Sequence, residues 1–511
     1  PAVFSTMPDT AQAIAYVEPD TSAYNTPAYL QPIQQPELTG PVLRFDKLSL
    51  NFATSFDSTF ITNTKGVFSL RDKIFVGEGG RFDWTSAGLG ADSVYYEFSK
   101  YSFKTASASL KARQGKLTYV GRLPGVVQGV FEFKSVNHKD KKSAGYPRFA
   151  SYRSDIAVLG LGSEKMKYRG GFGLQGAHMN SSSVTGDMAY LDLLGETDKK
   201  FTAQAKLFEF RDSTVSSQRA RVAIFQGNDS IFHPAMYFSY DFGKEKLALS
   251  KEKSSLRKAP FSSSFFNVDF NADQVRWDLK SDSLNIFNLG SGKTAPLIIE
   301  STDYYEPEDY RILQGQGFRF HPLALVANYA INNNIRDFYV FDLVGQRTLP
   351  ELKTAMDFLS QKGMIDYEAS TGRVHVKEKA VHFVQSVKGE TDYDNLKIQS
   401  FIEGSANATI NFPKAYMIVR GVEEFNVSDS LNVVIKPDSS TIKLLKNRDI
   451  KFDGTINAGN FEITGKDFTL KYDSFFINLN HIDSIRFYVT EKNGVRRRVN
   501  NSMVGADSTA A

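Results

Sequence analysis

The sequence predicts a mainly β protein: stacked short antiparallel strands, as in β-solenoid or jellyroll-like repeats, with one small inserted α/β module of partial winged-helix character. Three observations predict it. From about Thr39 onward apolar residues alternate with polar ones, as in Val268, Phe270 and Ala272 and again in Val275, Trp277 and Leu279. A period of two puts one row of side chains on one face of a half-buried strand. The apolar runs are short and closed by Asp-Ser or Gly. The chain also holds 41 Phe, 23 Tyr and no Cys, so ring packing rather than disulfides must join the strands.

The order of elements follows from composition. Residues 1–38 are rich in Pro, Thr, Ala and Gln without a sustained period, which predicts an extended linker or arm. Residues 39–320 read as a β-repeat region, 321–390 as the inserted module, 391–499 as a second β-repeat region, and 500–511 as a frayed polar tail. Length alone suggests about three domains. The chain begins at Pro1 with no charged-then-apolar leader, which predicts a processed product or a piece of a longer protein.

Within the β regions, Tyr95 to Phe103, Phe201 to Phe210 and Phe225 to Phe242 alternate in the same way. Asp-Ser recurs at Asp57, Asp92, Asp229, Asp282, Asp429, Asp473 and Asp483, where both side chains can bond the backbone two residues on and set a tight turn. Gly79-Gly80, Gly170-Gly171, Gly454 and Gly459 supply the same turns through positive φ. The regular succession from Phe461-Glu462-Ile463 through Phe468-Thr469-Leu470 and Phe475-Phe476-Ile477 to Ile485-Arg486-Phe487 predicts stacked units, each needing a neighbour to bury its face.

The module breaks the alternation. Pro322 stands at a helix start, and Leu323, Leu325, Val326 and Tyr329 follow with helical spacing. Phe338, Val340, Phe341 and Leu343 read as a short strand. Thr348 and Glu351 have capping-box spacing, Leu352, Ala355, Met356 and Leu359 form one apolar stripe, and Gly363 is a C-terminal stop. Ile365 to Tyr367 and Arg373 to Val376 predict a hairpin across Ser370-Thr371-Gly372. Helix, strand, helix and hairpin are a winged-helix order with one helix missing. The second helix carries Glu351, Lys353, Asp357 and Lys362, a neutral mixture that does not suit phosphates, so the expectation is a packing module without nucleic acid.

The absent cysteines exclude disulfides, Cys-ligated zinc, iron–sulfur clusters and thiol catalysis. A net charge of +4 on 511 residues gives no nucleic-acid footprint, and Arg496-Arg497-Arg498 reads as a solvated turn or strand end. No apolar run is long enough for a membrane helix. Gly171-Phe172-Gly173-Leu174-Gln175-Gly176 has dinucleotide-loop spacing but leads into His178-Met179-Asn180, not a helix. Gly292-Lys293-Thr294 lacks the upstream glycine of a phosphate loop, Phe287 standing there. His138, His178, His233, His321, His375, His382 and His481 show no ligand spacing; His233-Pro234 and His321-Pro322 read as turns. Asp303 to Tyr310 is acidic but lacks calcium-loop spacing and reads as a solvated connector. Glycosylation-type triplets at Asn180, Asn228, Asn407, Asn426 and Asn500 are near chance in a Ser/Thr-rich chain. No catalytic, cofactor-binding or metal-ligating residue is assigned, no cofactor is expected, and the chain is not read as an enzyme.

Tyr237-Phe238-Ser239-Tyr240-Asp241-Phe242 through Leu247-Ala248-Leu249, Phe261 to Leu289 with its Ala272-to-Asp278 core, and Lys446 to Gly454 resemble an uncharacterised family of very large proteins of Bacteroidota-type bacteria. The resemblance runs from about Phe201 to Val489. It implies a fragment of a longer cell-envelope protein, periplasmic or associated with the outer membrane. The short rungs are also similar to the OstA-like β-jellyroll stacks of lipopolysaccharide-transport and AsmA-type lipid-bridge proteins, through turn spacing alone. The expectation is a non-enzymatic cell-envelope β-repeat scaffold; Phe and Tyr on alternating positions could line a concave, lipid-shielding face, so its expected partners are lipid or acyl chains and neighbouring segments or envelope proteins. Two rivals stand beside it: a structural or adhesive repeat protein without ligand, and a hydrolase whose site is assembled from distant residues.

Overall fold

In a computed structural model, residues 35–499 are described apart from short segments at 54–57, 163, 252–258, 290–294, 303, 306, 316, 346, 370, 391–395, 429–431, 475 and 491–495. Strands make up 51% of the chain and helices 13%, so the fold is mainly β; the strands are antiparallel and no closed barrel forms among the described residues. Two compact units divide the chain. One comprises Pro1–Tyr119 with Val126–Tyr152, the other Val120–Gly125 with Arg153–Ala511. The expected arm up to residue 34, the Gly292-Lys293-Thr294 triplet and the tail from residue 500 lie outside the described residues.

The first unit is a stack of rungs, each spanning two facing layers. Val42–Ala53 and Ser58–Ser69 are long strands that pair along their length and shift register in the middle, between Phe45 and Leu48 and again before Leu50. The next rung is two strands. Ile74–Glu78 pairs with one half of Ser58–Ser69, and Arg81–Asp83 pairs with the other. Gly79 and Gly80, at φ of +71° and +108°, make the corner between them. A Cβ at Gly80 would stand 2.8 Å from Ile61 Cγ2, so both the backbone angle and the space demand glycine. Val94–Phe98 then adds to Arg81–Asp83, and Lys100–Lys104 adds to Ile74–Glu78. Gly115–Tyr119 follows on Val94–Phe98, and Val127–Lys134 spans both layers by pairing with Gly115–Tyr119 and Ser109–Ala112.

Alternation decides what fills the space between the layers. In Val94–Phe98 the residues Val94, Tyr96 and Phe98 are buried and Tyr95 and Glu97 are not. Phe131 sits at the centre of the resulting ring cluster, 4.8 Å from Phe82, 5.0 Å from Tyr96, 5.2 Å from Phe98 and 5.8 Å from Trp84 between centroids. The Tyr96 hydroxyl donates to the Gly129 carbonyl at 3.0 Å, which satisfies its one polar atom in the core.

The second unit repeats the scheme. Thr214–Gln226 and Asp229–Asp241 are long paired strands with register shifts between Ser217 and Val222. Lys246–Ser250 adds to one half of Asp229–Asp241, and Phe261–Ser263 to the other. Gln274–Asp278 and Ser283–Phe287 continue the first layer. Val268–Phe270 and Leu297–Ser301 continue the second. The unit ends on three long bent strands, Ile450–Ala458, Phe461–Lys471 and Phe476–Thr490. Gly454 bends the first of these at φ +151°, where a Cβ would lie 2.2 Å from the Lys436 carbonyl oxygen. The Asp-Ser turns hold at Asp92 and Asp473, whereas Asp483-Ser484 lies inside the Phe476–Thr490 strand, beside its register shift.

The α/β module leaves the stack after Leu297–Ser301 and returns at Lys397–Ser400, two strands that pair with each other. Its helices are α1 (Pro307–Ile312), α2 (Pro322–Asn333), α3 (Leu349–Gln361) and α4 (Glu378–Lys388). The hairpin Ile365–Glu368 and Arg373–Val376 forms as expected, with Asp337–Tyr339 on its other side. The stripe Leu352, Ala355, Met356 and Leu359 is buried, and Gly363 takes the left-handed conformation that ends the helix. Three expectations need correction. Val340–Leu343 is a 3-10 turn rather than strand, occupying the place of the missing winged-helix helix. Thr348 is the N-cap of α3 but its side chain makes no capping bond. The stretch after Asp303 is a solvated connector only in part: Tyr304 and Tyr305 are buried, whereas Pro307 to Ile312 form α1, none of whose residues is buried.

Candidate functional site

The chemistry-bearing residues gather where the module sits on the stack. Asp269 and Glu300 are directly opposite each other on adjacent antiparallel strands, and like charges in that position repel. Lys379, in the first turn of α4, places its ammonium between them, 3.3 Å from Asp269 Oδ2 and 4.0 Å from Glu300 Oε1. All three side chains are shielded; Lys379 and Asp269 are 8% and 5% exposed. Burial alone would lower the Lys379 pKa, but the two carboxylates outweigh it and hold the ammonium above its ordinary value. Burial pushes the Glu300 carboxyl up, against the pull of Lys379 and Lys397. Glu300 lies opposite Lys397 on its other side, which balances the second carboxylate.

Beside this cluster is a cleft of about 70 Å³, bordered by Phe232, Pro260, Asp269, Asp366 and Lys377. Asp269 Oδ1 is buried there with no partner among the described residues, and the volume is enough for ordered water to supply one. Lys377 reaches both Asp366, at 3.5 Å, and the face of Phe232, at 5.2 Å. Arg221 of the stack also approaches Asp366, at 3.9 Å. These are docking contacts: each pairs a module residue with a stack residue or steadies one that does.

The histidines do not converge. His233 lies in the bent Asp229–Asp241 strand, not in a turn; its Nδ1 accepts from the Ala235 amide at 3.1 Å and its Nε2 donates to the Ala259 carbonyl at 3.0 Å. Burial lowers its pKa to about 4, so the ring is neutral at pH 7. His321 is the N-cap of α2, with Nδ1 accepting from Ala324 at 3.3 Å and Nε2 bonded to the Tyr310 carbonyl at 2.9 Å. His375 pairs with Asp337 at 3.2 Å. Among the described residues no three His, Asp or Glu side chains are grouped to hold a metal. Gly171 to Gly176 forms a strand and tight turn, with Gly173–Gln175 paired to His178–Asn180, as its sequence context required.

A different kind of surface lies at the ends of the stacks. Along one inner row of the second unit, Ile456 is 2% exposed, its neighbour Ile463 is half-buried, and Ile485 on the last strand is 47% exposed. Phe487, beside Phe461 at 4.9 Å between ring centroids, is 48% exposed. At the start of the first unit Leu43 and Phe45 are likewise open to solvent. These inner rows continue the core pattern and stay exposed, with Gln35 bordering the cleft beside Phe45 at the first unit's end. Sequence reading missed the Lys379 cluster because its members are 110 residues apart. The end rows were legible as alternation.

The sequence matches no protein-family model and no curated protein. No helix among the described residues is long and apolar enough to cross a membrane.

Proposed function

We propose that this chain is a non-enzymatic scaffold of the bacterial cell envelope, a stack of β-rungs whose working surfaces are its ends and its docked module. The observation that carries this reading is the filling of the inner space. Trp84, Phe82, Tyr96, Phe131 and Phe133 in the first unit, and Phe201, Phe238, Phe261 and Trp277 in the second, are buried against one another and their neighbours. Rings packed this way stabilise rungs by about 25 cal/mol per Å² of apolar surface removed from water. They fill the volume that an acyl chain would occupy.

A second reading, that of lipid shielding, is favoured by the uncovered inner row Ile485 and Phe487 at the last rung. Partners in the envelope, whether neighbouring segments or other proteins, are then expected at the ends. The test is extraction of the chain from envelope membranes followed by mass spectrometry of organic-phase extracts. The scaffold reading expects no stoichiometric lipid; one acyl lipid per chain, lost on Ile485→Lys, replaces it with the second reading.

A further inference from the structure

We propose that copies of this chain join head to tail, the last rung of one copy, Phe476–Thr490, pairing antiparallel with the first rung, Val42–Ala53, of the next. The proposal rests on the scaffold reading and names the occupant of its ends. Among the described residues Val42–Ala53 pairs only with Ser58–Ser69. Phe476–Thr490 pairs with Phe461–Lys471 and, from Tyr488 onward, with Arg496–Arg498, and the Phe487 carbonyl accepts from the Val499 amide at 3.0 Å, which leaves the outer edge from Phe476 to Arg486. Each therefore offers a row of backbone amides and carbonyls on its outer edge as well as an uncovered apolar row. An acyl chain covers the second but cannot bond the first; a β-strand does both.

The two edges fit each other. Each is a long strand bent at its middle, with flat paired stretches at 42–45 and 50–53 in one and at 476–479 and 484–487 in the other. Antiparallel pairing, the kind both stacks use among the described residues, sets Ile477 and Leu479 against Phe52 and Leu50 and, after a one-residue shift at the bend, Ile485 against Phe45, with Leu43 next along the same row. That one-residue shift, like those already present in both strands, brings Lys47 opposite Asp483, and the half before it sets Asn51 opposite Asn478 on the outer face. Repeat stacks that stay monomeric close their ends with polar capping units; these ends are apolar. Because the two patches differ, the contact is heterologous.

The absence of cysteine makes the test direct. The full chain carrying both Asn51→Cys and Asn478→Cys is oxidised mildly and run without reductant. A ladder of dimers, trimers and higher species is expected, with dimers only from a mixture of the two single variants and none from either single variant alone. In sedimentation the unmodified, lipid-free chain should gain mass with concentration. Ile485→Lys and, separately at the other end, Leu43→Lys should each abolish that gain with the circular dichroism unchanged. Cross-linking of a single variant with itself, a mass that stays monomeric at every concentration, or association that vanishes on delipidation each overturns the proposal. Absence of cross-links in a lipid-free, folded chain leaves the scaffold reading standing; bound interior lipid removes that reading whatever the cross-links show.

Discussion

Removing the Lys379 ammonium should loosen the module without unfolding the stack. In Lys379→Ala, Asp269 and Glu300 remain face to face beneath α4 with the cation gone. Breaking a buried ion pair by deleting one partner costs about 3–5 kcal/mol, because the remaining charge stays desolvated. At about 1.4 kcal/mol per factor of ten, amide protection in α4 should fall by roughly two to four powers of ten, limited by the opening energy of the native module. Hydrogen exchange read by mass spectrometry locates the effect: loss of protection in Glu378–Lys388 and Val268–Phe270, with Thr214–Gln226 unchanged. The sign of the pH dependence follows from the shifts. The folded Glu300 pKa is raised, so its ionised form opposes docking, and the defect of Lys379→Ala should shrink as pH falls through that raised value. The native Lys379 pKa is also raised, so its contribution is present at neutral pH and is lost only as pH climbs through that folded value. Adding Glu300→Gln to Lys379→Ala should restore most of the protection. A loss below about tenfold, or one spread evenly over the unit, would refute the reasoning.

The remaining predictions test the core, a buried histidine and the insertion. Phe131→Ala, at the hub of the ring cluster, should destabilise the first unit by about 3–5 kcal/mol, read through the fluorescence of nearby Trp84. His233 has a folded pKa of about 4 against an ordinary 6.5, so unfolded chains take up its proton first. Stability should be level above pH 6.5 and fall by about 3 kcal/mol as pH drops toward 4, a slope that His233→Gln should reduce in melts across that range. Ser301 N donates to the Leu396 carbonyl at 3.1 Å, so the two ends of the insertion already touch. Replacing residues 302–395 with Asn-Gly should leave a soluble stack with its strand spectrum intact, and loss of protection across Thr214–Gln226 would count against it.

Where the sequence was legible, one physical signal dominated each element. Alternation identified the strands because each layer buries one face. The stripe Leu352, Ala355, Met356 and Leu359 identified α3 because it has a full helical period and a glycine stop. Helix α4 escaped because Val381, His382, Phe383 and Val384 are β-branched or aromatic, and because Lys377 is a poor N-cap. The spacing of Ala380, Val384 and Val387, with Gly389 after them, was the signal that outweighs propensity there. The two-layer order was beyond reach for another reason. Ser283–Phe287 pairs with Ala408–Asn411 across the whole module, and no local pattern encodes which strand lies next to which. The Lys379 cluster depends on that order.

The insertion and the open ends follow from the same construction. A rung is held by its two neighbours, so the chain can leave the stack between paired strands and return without disturbing either layer. Closing such an excursion costs only about 0.6 kcal/mol more for each doubling of its length. The module contributes its own core, from Tyr305 through Leu323 and Met356 to Val384, and needs the stack only for placement. Lys379 provides that placement by neutralising a carboxylate pair which would otherwise oppose the sheet. At the ends no further rung covers the inner row among the described residues, and that row passes from Ile456 through Ile463 to Ile485 with its apolar character unchanged. A core pattern that runs undiminished to the last strand specifies another rung beyond it.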